Sequence, residues 1–272
     1  MPRTRYRERY SALVTLAALL VLAGFCYGPG LNGAFLFDDY PNLVNNDWLN
    51  LRAKTLTDFR SAAMSSDASA LGRPVVMATF AAQSLAFGQV TPFISKALNL
   101  VIHLSVALAV FCFSRLILST PVFRVLEKNR DVVATLATAL WVLSPLMVST
   151  VLYPIQRMAQ LSALFVLMTL IVFVRWRLTV ALLGIRSDST FSALSWMGIF
   201  LTLALLSKEN AVLTPLLIGL VELLFFFGLY GSEKSPRLCF VTRWFAVTAG
   251  LGLIACLVWI WPWIESGYEV RP

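Results

Sequence analysis

Charged side chains are scarce in this 272-residue sequence, since Asp, Glu, Lys and Arg together make up only 13% of it. That share is about half of what soluble globular domains carry. Hydrophobic residues make up 58%, and the mean hydropathy is +0.77. A domain of this size cannot bury that much apolar surface inside itself. The composition therefore argues against a soluble enzyme and predicts an all-α polytopic integral membrane protein.

Cysteine and histidine are also nearly absent, with four Cys and one His in the whole chain. The cysteines lie in or next to apolar runs and show no pairing pattern, so neither a disulfide framework nor a zinc cluster is expected. The sequence has no Asn-x-Ser/Thr acceptor and no Gly-rich phosphate loop. These absences leave the polar residues beside the apolar runs as the main candidates for chemistry.

Seven mostly apolar runs with few charges approach the length of about 20 residues that a helix needs to cross a bilayer. They comprise residues 11–31, 93–120, 132–153, 159–174, 191–206, 211–230 and 241–264. The only long connection, residues 32–92, is predicted to be an outer loop with one to three interfacial helices. A basic amino terminus, residues 1–10, and a tail, residues 265–272, complete the chain. The sequence thus predicts about seven transmembrane helices, with helices two to seven in residues 93–264.

The basic residues predict the orientation, because Lys and Arg beside a span resist translocation. Fourteen of the 22 basic residues fall on the side of the amino terminus: Arg3, Arg5, Arg7, Arg9, Arg115, Arg124, Lys128, Arg130, Arg175, Arg177, Arg186, Lys234, Arg237 and Arg243. We therefore expect a bacterial inner-membrane protein with its amino terminus in the cytoplasm and its long loop in the periplasm. A cleaved signal peptide is disfavoured because the first run is long and no Ala-x-Ala site follows it. No nucleic-acid partner is expected, since the basic groups form no face of their own.

Polar residues at the outer ends of the runs are candidate site residues, because ionisable groups cost several kcal/mol in hydrocarbon and persist mainly where they face protein or a cavity. The candidates are Asp38, Asp39, Arg73, Lys96, Asn99, His103, Gln156, Arg157, Lys208 and Glu209. All of them fall in the long outer loop, in the short outer connections between runs or in the outer half of the second run.

The acidic pair Asp38-Asp39 follows shortly after the first run and precedes Pro41. One interpretation is a turn, because Asp-Asp-Tyr-Pro is a sequence typical of turns. A second is a general base, a carboxylate placed to take a proton from an attacking hydroxyl. A third is a divalent-cation site, since paired carboxylates suit such an ion.

Lys96, Asn99 and His103 are spaced at i, i+3 and i+7, which places them on one helical face. A lone histidine in a helix is more often a structural hydrogen-bonding group than a catalyst, and Lys96 also has the length to reach the interface. Arg157 and Lys208 each lie where a run turns back at the outer side. Such cations anchor helices in many proteins, but two of them opposite an acidic pair also suit an anionic phosphate donor.

An ordered set of short motifs resembles one family. The motifs are Phe37-Asp38-Asp39-Tyr40, Gly72-Arg73-Pro74, the Asn99 to His103 face, Ser144-Pro145 through Tyr153 and Gln156-Arg157, and Ser207-Lys208-Glu209-Asn210 before Pro215. Over about residues 34–222, the chain resembles the membrane half of the transmembrane and tetratricopeptide-repeat proteins. That family belongs to the C-type polytopic glycosyltransferase superfamily, which includes the protein O-mannosyltransferases.

The resemblance implies transfer of a sugar from a polyprenyl- or dolichyl-phosphate carrier to a protein or glycan hydroxyl at the outer face. It also implies that Asp38 is the general base, with Asp39 beside it, as an inverting displacement requires. A phosphate leaving group needs cations, and Arg157 and Lys208 are the available ones. The remaining pocket residues would be Arg73, Asn99, His103, Gln156 and Glu209.

Two departures from the family pattern stand beside this resemblance. The chain has Ser144-Pro145 where the family commonly has His-Pro. Members of the family usually have about ten or more spans, often followed by repeats, so further spans and repeats are expected beyond these residues. A transporter or flippase of lipid-linked sugars and a non-catalytic membrane assembly partner remain as alternative functions. A divalent cation stays open as a cofactor.

Overall fold

The computed structural model describes residues 2–50, 55–66, 72–184 and 186–226, and those residues contain helices and no strand. The α-helices are α1 (Pro2–Tyr27), α2 (Leu56–Ala63), α3 (Pro74–Phe87), α4 (Pro92–Ile117), α5 (Arg130–Val142), α6 (Val148–Leu152), α7 (Arg157–Leu183), α8 (Ser187–Leu205) and α9 (Thr214–Phe225). Short 3₁₀ turns and one π turn, Tyr40–Val44, connect several of them. The predicted all-α class is confirmed for this part of the chain.

Four helical stretches are long and apolar enough to cross a membrane. They are Ser11–Asn32, Pro92–Ile117, Pro154–Leu183 and Ser187–Leu205, and they coincide with the first, second, fourth and fifth predicted runs. A bent pair, Pro121–Val142 with Pro145–Leu152, makes a fifth span if it is counted as one. The predicted sixth run corresponds to α9, which has 12 residues. The seventh run, 241–264, lies outside the described residues, so the count of seven stays a prediction.

The third predicted run, 132–153, is not one continuous helix. The chain bends by 51° between the two halves of this span. Pro145 explains the break, because proline has no backbone N–H to donate and its ring clashes with the carbonyl four residues earlier. The helix α5 therefore ends at Val142, and a 3₁₀ turn, Pro145–Met147, leads into α6.

Two side chains bond the carbonyl of Val142 at this break. The Tyr27 hydroxyl donates to it at 3.3 Å, and Nε2 of His103 donates to it at 3.2 Å. The His103 ring also stacks on Trp141, with centroids 4.8 Å apart, and meets the Tyr27 ring edge-on at 5.3 Å. Because a carbonyl freed inside a membrane helix needs another donor, these residues join α1 and α4 to the broken span.

Removing the hydroxyl of Tyr27 is expected to weaken this junction modestly. Tyr27→Phe keeps the ring but loses one hydrogen bond, so the free energy of unfolding should fall by about 1 kcal/mol. Reversible unfolding in mixed micelles measures the change. Tyr40→Phe is the matched control, because Tyr40 is 47% exposed and lies in a turn. Equal stability of Tyr27→Phe and the control would contradict the assignment.

The contacts define two ends of the helix bundle. At the first end, the start of α4 meets the residues that follow α1, and Lys96 Nζ donates to the carbonyl of Gly33 at 2.7 Å. At the opposite end, Arg115 of α4 pairs with Asp131 of α5. We call the first end the outer end, because the distribution of basic residues predicts that it faces the periplasm.

A buried ion pair joins α7 to α9 in the half of the bundle away from the outer end. Nε and NH2 of Arg177 donate to the two carboxylate oxygens of Glu222 at 2.7 and 2.6 Å, and Arg177 is only 1% exposed. Its guanidinium also lies 4.9 Å from the centroid of the Phe226 ring. Arg177, counted in the sequence as an interfacial basic residue, is thus a buried helix-packing residue whose charge Glu222 offsets.

Candidate functional site

The polar residues of the outer end form a layer in which the outer loop meets α4 and the start of α7. Among the described residues, Phe37 and Arg73 are the only non-glycine residues with positive φ, at 37° and 47°. Such backbone geometry costs about 1–3 kcal/mol and persists only where surrounding contacts impose it. Both strained residues fall in motifs that the sequence singles out, directly before Asp38 and directly before Pro74.

Asp39 is the buried member of the acidic pair, with no exposed area. Its carboxylate accepts from the N–H of Leu36 and from the N–H of Ile155, both at 2.9 Å. Burial raises the pKa of Asp39, while the two backbone N–H groups and the charge of Lys96 oppose that rise. Asp39 therefore connects the outer loop to the turn before α7. The amino-terminal end of α7 is the positive end of the helix dipole, which favours a carboxylate.

Asp38 lies on the opposite side of the same turn and is exposed. Its N–H donates to the hydroxyl of Tyr153 at 2.8 Å, and its carboxylate lies within hydrogen-bonding reach of that hydroxyl. Burial raises the pKa of Tyr153, and the charges of Asp38 and Asp39 raise it further. The phenol thus stays protonated and can donate to the Asp38 carboxylate, so the turn presents one accessible carboxylate with a tyrosine beside it.

One face of α4 carries Lys96, Asn99 and His103, and each of the three lies in a different environment. Lys96 Nζ donates to the carbonyls of Gly33 and Ala34 at 2.7 and 3.0 Å. Asn99 Nδ2 donates to the carbonyls of Tyr153 and Pro154, at 3.3 and 3.1 Å. His103 lies deeper and bonds the break in the third span. Lys96 and Asn99 therefore support the outer turns, and His103 does not join them.

Arg157 is fully buried beneath the outer turns. Its guanidinium donates to Asn99 Oδ1 at 2.9 Å, Thr79 Oγ1 at 3.2 Å, Gln83 Oε1 at 3.0 Å and the carbonyl of Ser95 at 3.1 Å. These contacts use four of the five N–H groups that an arginine offers. The same guanidinium lies over the Phe80 ring, 3.8 Å from its centroid. Arg157 thus connects α3, α4 and α7, and it has no surface left for a ligand in this arrangement.

Arg73, Glu209 and Lys208 form a more accessible group at the outer end. Arg73 pairs with Glu209 at 3.3 Å, and its NH1 contacts the sulfur of Met158 at 2.8 Å. Lys208 is half-buried and makes no side-chain hydrogen bond within the described residues. Burial and the charge of Arg73 lower the pKa of Lys208, with Glu209 opposing them. This group contacts α7 at Met158, one turn from the residue that Asp39 contacts.

The remaining predicted residue, Gln156, is half-buried at the start of α7. Its side chain makes no hydrogen bond within the part of the chain that the structure describes. Gln156 and Lys208 are therefore predicted site residues whose polar side-chain atoms make no hydrogen bond there. Both are free to meet a ligand at the outer end.

The sequence patterns missed several residues of this site. Thr79, Gln83 and Ser95 bond Arg157 directly, yet no motif pointed to them. Tyr153, which bonds Asp38, ends one stretch of the motifs but was not singled out as a site residue. The signal was present in Gln83 and Ser95, since each is a polar residue within an apolar stretch. For Gln83 it was overlooked because residues 74–87 were assigned to an outer loop with interfacial helices, whereas α3 buries Gln83 inside the protein.

A metal ion has no evident protein cage in this site. Within residues 2–50, 55–66, 72–184 and 186–226, no three His, Cys, Asp or Glu side chains come together in a way that could hold an ion. The two aspartates also face different surroundings, one buried and one exposed. A divalent cation as cofactor stays a prediction.

The apolar helices and the polar layer at one end define a helical, multi-pass membrane-embedded protein. Comparison with protein-family models, with curated proteins and with solved structures finds no match for this chain. The family suggested by the sequence motifs therefore stays a prediction.

Proposed function

We propose that this chain is a glycosyltransferase that moves a sugar from a polyprenyl-phosphate carrier to a protein or glycan hydroxyl at its outer end. The observation that carries the proposal is the contrast between the two aspartates. Asp39 is buried and holds the loop, while Asp38 is exposed beside a protonated tyrosine. Adjacent carboxylates in different environments can take different roles. Asp38 is then the general base and Asp39 its positioning residue.

In the proposed reaction, the acceptor oxygen attacks the anomeric carbon of the donor sugar. Asp38 takes the proton of that hydroxyl as the new carbon–oxygen bond forms. The bond between the anomeric carbon and the phosphate oxygen breaks, and its electron pair leaves with the polyprenyl phosphate. Attack from the face opposite the leaving group inverts the anomeric configuration. Tyr153 holds the Asp38 carboxylate during this step.

Arg73 and Lys208 are the cations that we propose for the donor phosphate. Lys208 has no side-chain hydrogen bond within the described residues, and Arg73 is held by Glu209 in a partly exposed position. Both offset the negative charge that develops on the leaving phosphate. Arg157, expected from the sequence to bind this phosphate, instead supports the site from below through its contacts with α3 and α4.

The internal contacts of the deep polar groups favour sugar transfer over transport. A transporter needs polar groups available near the midplane. In the described spans, His103 bonds the Val142 carbonyl, Arg157 bonds its own network and Arg177 pairs with Glu222. The accessible residues of the candidate site, such as Asp38, lie instead at the outer end.

A product assay distinguishes these two functions. The protein is reconstituted in liposomes with polyprenyl-phosphate mannose or polyprenyl-phosphate glucose, labelled in the sugar, and a serine- and threonine-containing acceptor peptide. Transfer yields free polyprenyl phosphate and a labelled peptide. Movement of the label across the bilayer with the phosphodiester intact would contradict the proposal and identify a transporter.

Donor binding is expected to weaken as the pH rises. Because the pKa of Lys208 is lowered, this residue loses its charge at a lower pH than an ordinary lysine. The donor phosphodiester stays a monoanion over that range, so binding should fall by about tenfold as Lys208 deprotonates. Lys208→Arg should move the loss to higher pH, since a guanidinium remains charged. Titration of the protein with the labelled polyprenyl-phosphate sugar at each pH measures both binding profiles, and identical profiles would count against a role for Lys208.

A further inference from the structure

A lateral crevice between α4 and α7 lies far from the outer end. It has a volume of about 670 Å³, and its lining includes apolar residues such as Leu108, Phe111 and Met168. Leu108 is 44% exposed and Cys112 is exposed, so the crevice opens toward the surroundings of the bundle. Its lining on α4 runs from Ser105 to Leu116, about 16 Å at 1.5 Å per residue. That length matches one leaflet of a hydrocarbon core about 30 Å thick.

Three arginines lie at the end of this crevice that is predicted to be cytoplasmic. They are Arg115, Arg130 and Arg175. Asp131 pairs with Arg115 and lies 3.6 Å from Arg130, and NH1 of Arg130 donates to Ser119. Arg175 is exposed and has no side-chain partner within the described residues. One carboxylate against three guanidinium groups leaves an excess of positive charge where a lipid phosphate would lie.

A second groove begins on the other side of Arg175. It has a volume of about 530 Å³ and lies between α7 and α8, with Trp196 and Phe200 in its wall. Met168, Ile171 and Arg175 line both grooves. Arg175 therefore stands at the junction of two apolar channels, which is the position that the headgroup of a two-chain lipid would take.

We infer that this junction binds an anionic phospholipid, with its phosphate on Arg175 and Arg115 and one acyl chain in each groove. Charge complementarity and the apolar lining of both channels point to this occupant, since basic pockets between membrane helices favour anionic headgroups. The site is separate from the outer end and does not depend on the proposed sugar transfer. Its function would be to bind the protein to anionic lipid in one leaflet.

Lipid binding to the purified chain in detergent tests this inference. Phosphatidylglycerol and phosphatidylcholine are titrated separately, and bound lipid is counted by native mass spectrometry. Wild type should prefer phosphatidylglycerol, and Arg175→Gln should weaken its binding by about fivefold. Arg124→Gln is the matched control, since Arg124 is an exposed arginine of the same end that lines neither groove. It should bind as wild type does.

Filling the grooves gives a second arm of the test. Met168→Trp should weaken binding of both lipids, because residue 168 lines both channels. Glycerol phosphate, which has a headgroup but no chains, should not compete. Equal affinity of wild type for the two lipids, an equal loss in Arg175→Gln and Arg124→Gln, or competition by glycerol phosphate would each overturn the inference.

Discussion

Asp38→Asn is expected to lower the rate of sugar transfer by about 10²–10⁴-fold, the usual contribution of a general base. The substitution removes the proton acceptor but keeps the size of the side chain and the N–H bond to Tyr153. Because Asp38 is exposed, the free energy of unfolding should change by less than about 0.5 kcal/mol. The rate of acceptor labelling, divided by the amount of folded protein, measures the effect.

Two neighbouring carboxylates provide the controls for Asp38→Asn. Asp47→Asn changes another exposed carboxylate of the outer loop and should leave the rate unaltered. Asp39→Asn should instead lower stability, because an amide cannot accept from both N–H groups as the buried carboxylate does. A rate loss of the same size in Asp47→Asn would show that net charge of the loop, and not a base, is responsible.

Arg157→Met is expected to destabilise the protein by about 3 kcal/mol. The substitution removes the donors that satisfy Asn99 Oδ1 and Gln83 Oε1, and a buried acceptor without a partner costs about 1–3 kcal/mol. It also removes the contact with the Phe80 ring. Gln83 keeps one further donor in the Ser95 hydroxyl, which limits the loss at that position.

Unfolding of Arg157→Met in mixed micelles, compared with Arg124→Met, measures this effect. Arg124 is exposed, so its replacement should change stability by less than about 0.5 kcal/mol. Since Arg157 connects α3 to α4 and α7, limited proteolysis should also cut Arg157→Met faster within residues 72–92. Equal stability of the two variants would mean that Arg157 does not hold the outer end together.

The apolar runs predicted the four helices of membrane-spanning length, because length and composition decide whether a helix can cross a membrane. They did not reveal the break at Pro145, since residues 132–153 stay apolar on both sides of it. The outer loop contains the helices α2 and α3. Composition did not reveal how deeply α3 is buried, because its 14 residues are too few to cross a bilayer and fall where only interfacial helices were expected.

The site was harder to predict than the spans, because composition does not say which way a side chain faces. The sequence could place Asp38 and Asp39 together but could not decide which of them is buried. That choice follows from the strained turn at Phe37 and from the N–H of Ile155, which lies 116 residues further along the chain. Arg157 was expected to face a ligand for the same reason, since only the packing of α3 shows that its partners are internal.

The release of polyprenyl phosphate tests the central claim most directly. Wild type, Asp38→Asn and Asp47→Asn are reconstituted at equal amounts of folded protein with the labelled polyprenyl-phosphate sugars and the acceptor peptide. We expect release by wild type and by Asp47→Asn, and a fall of about 100-fold or more in Asp38→Asn. Release by Asp38→Asn at the wild-type rate would contradict that claim.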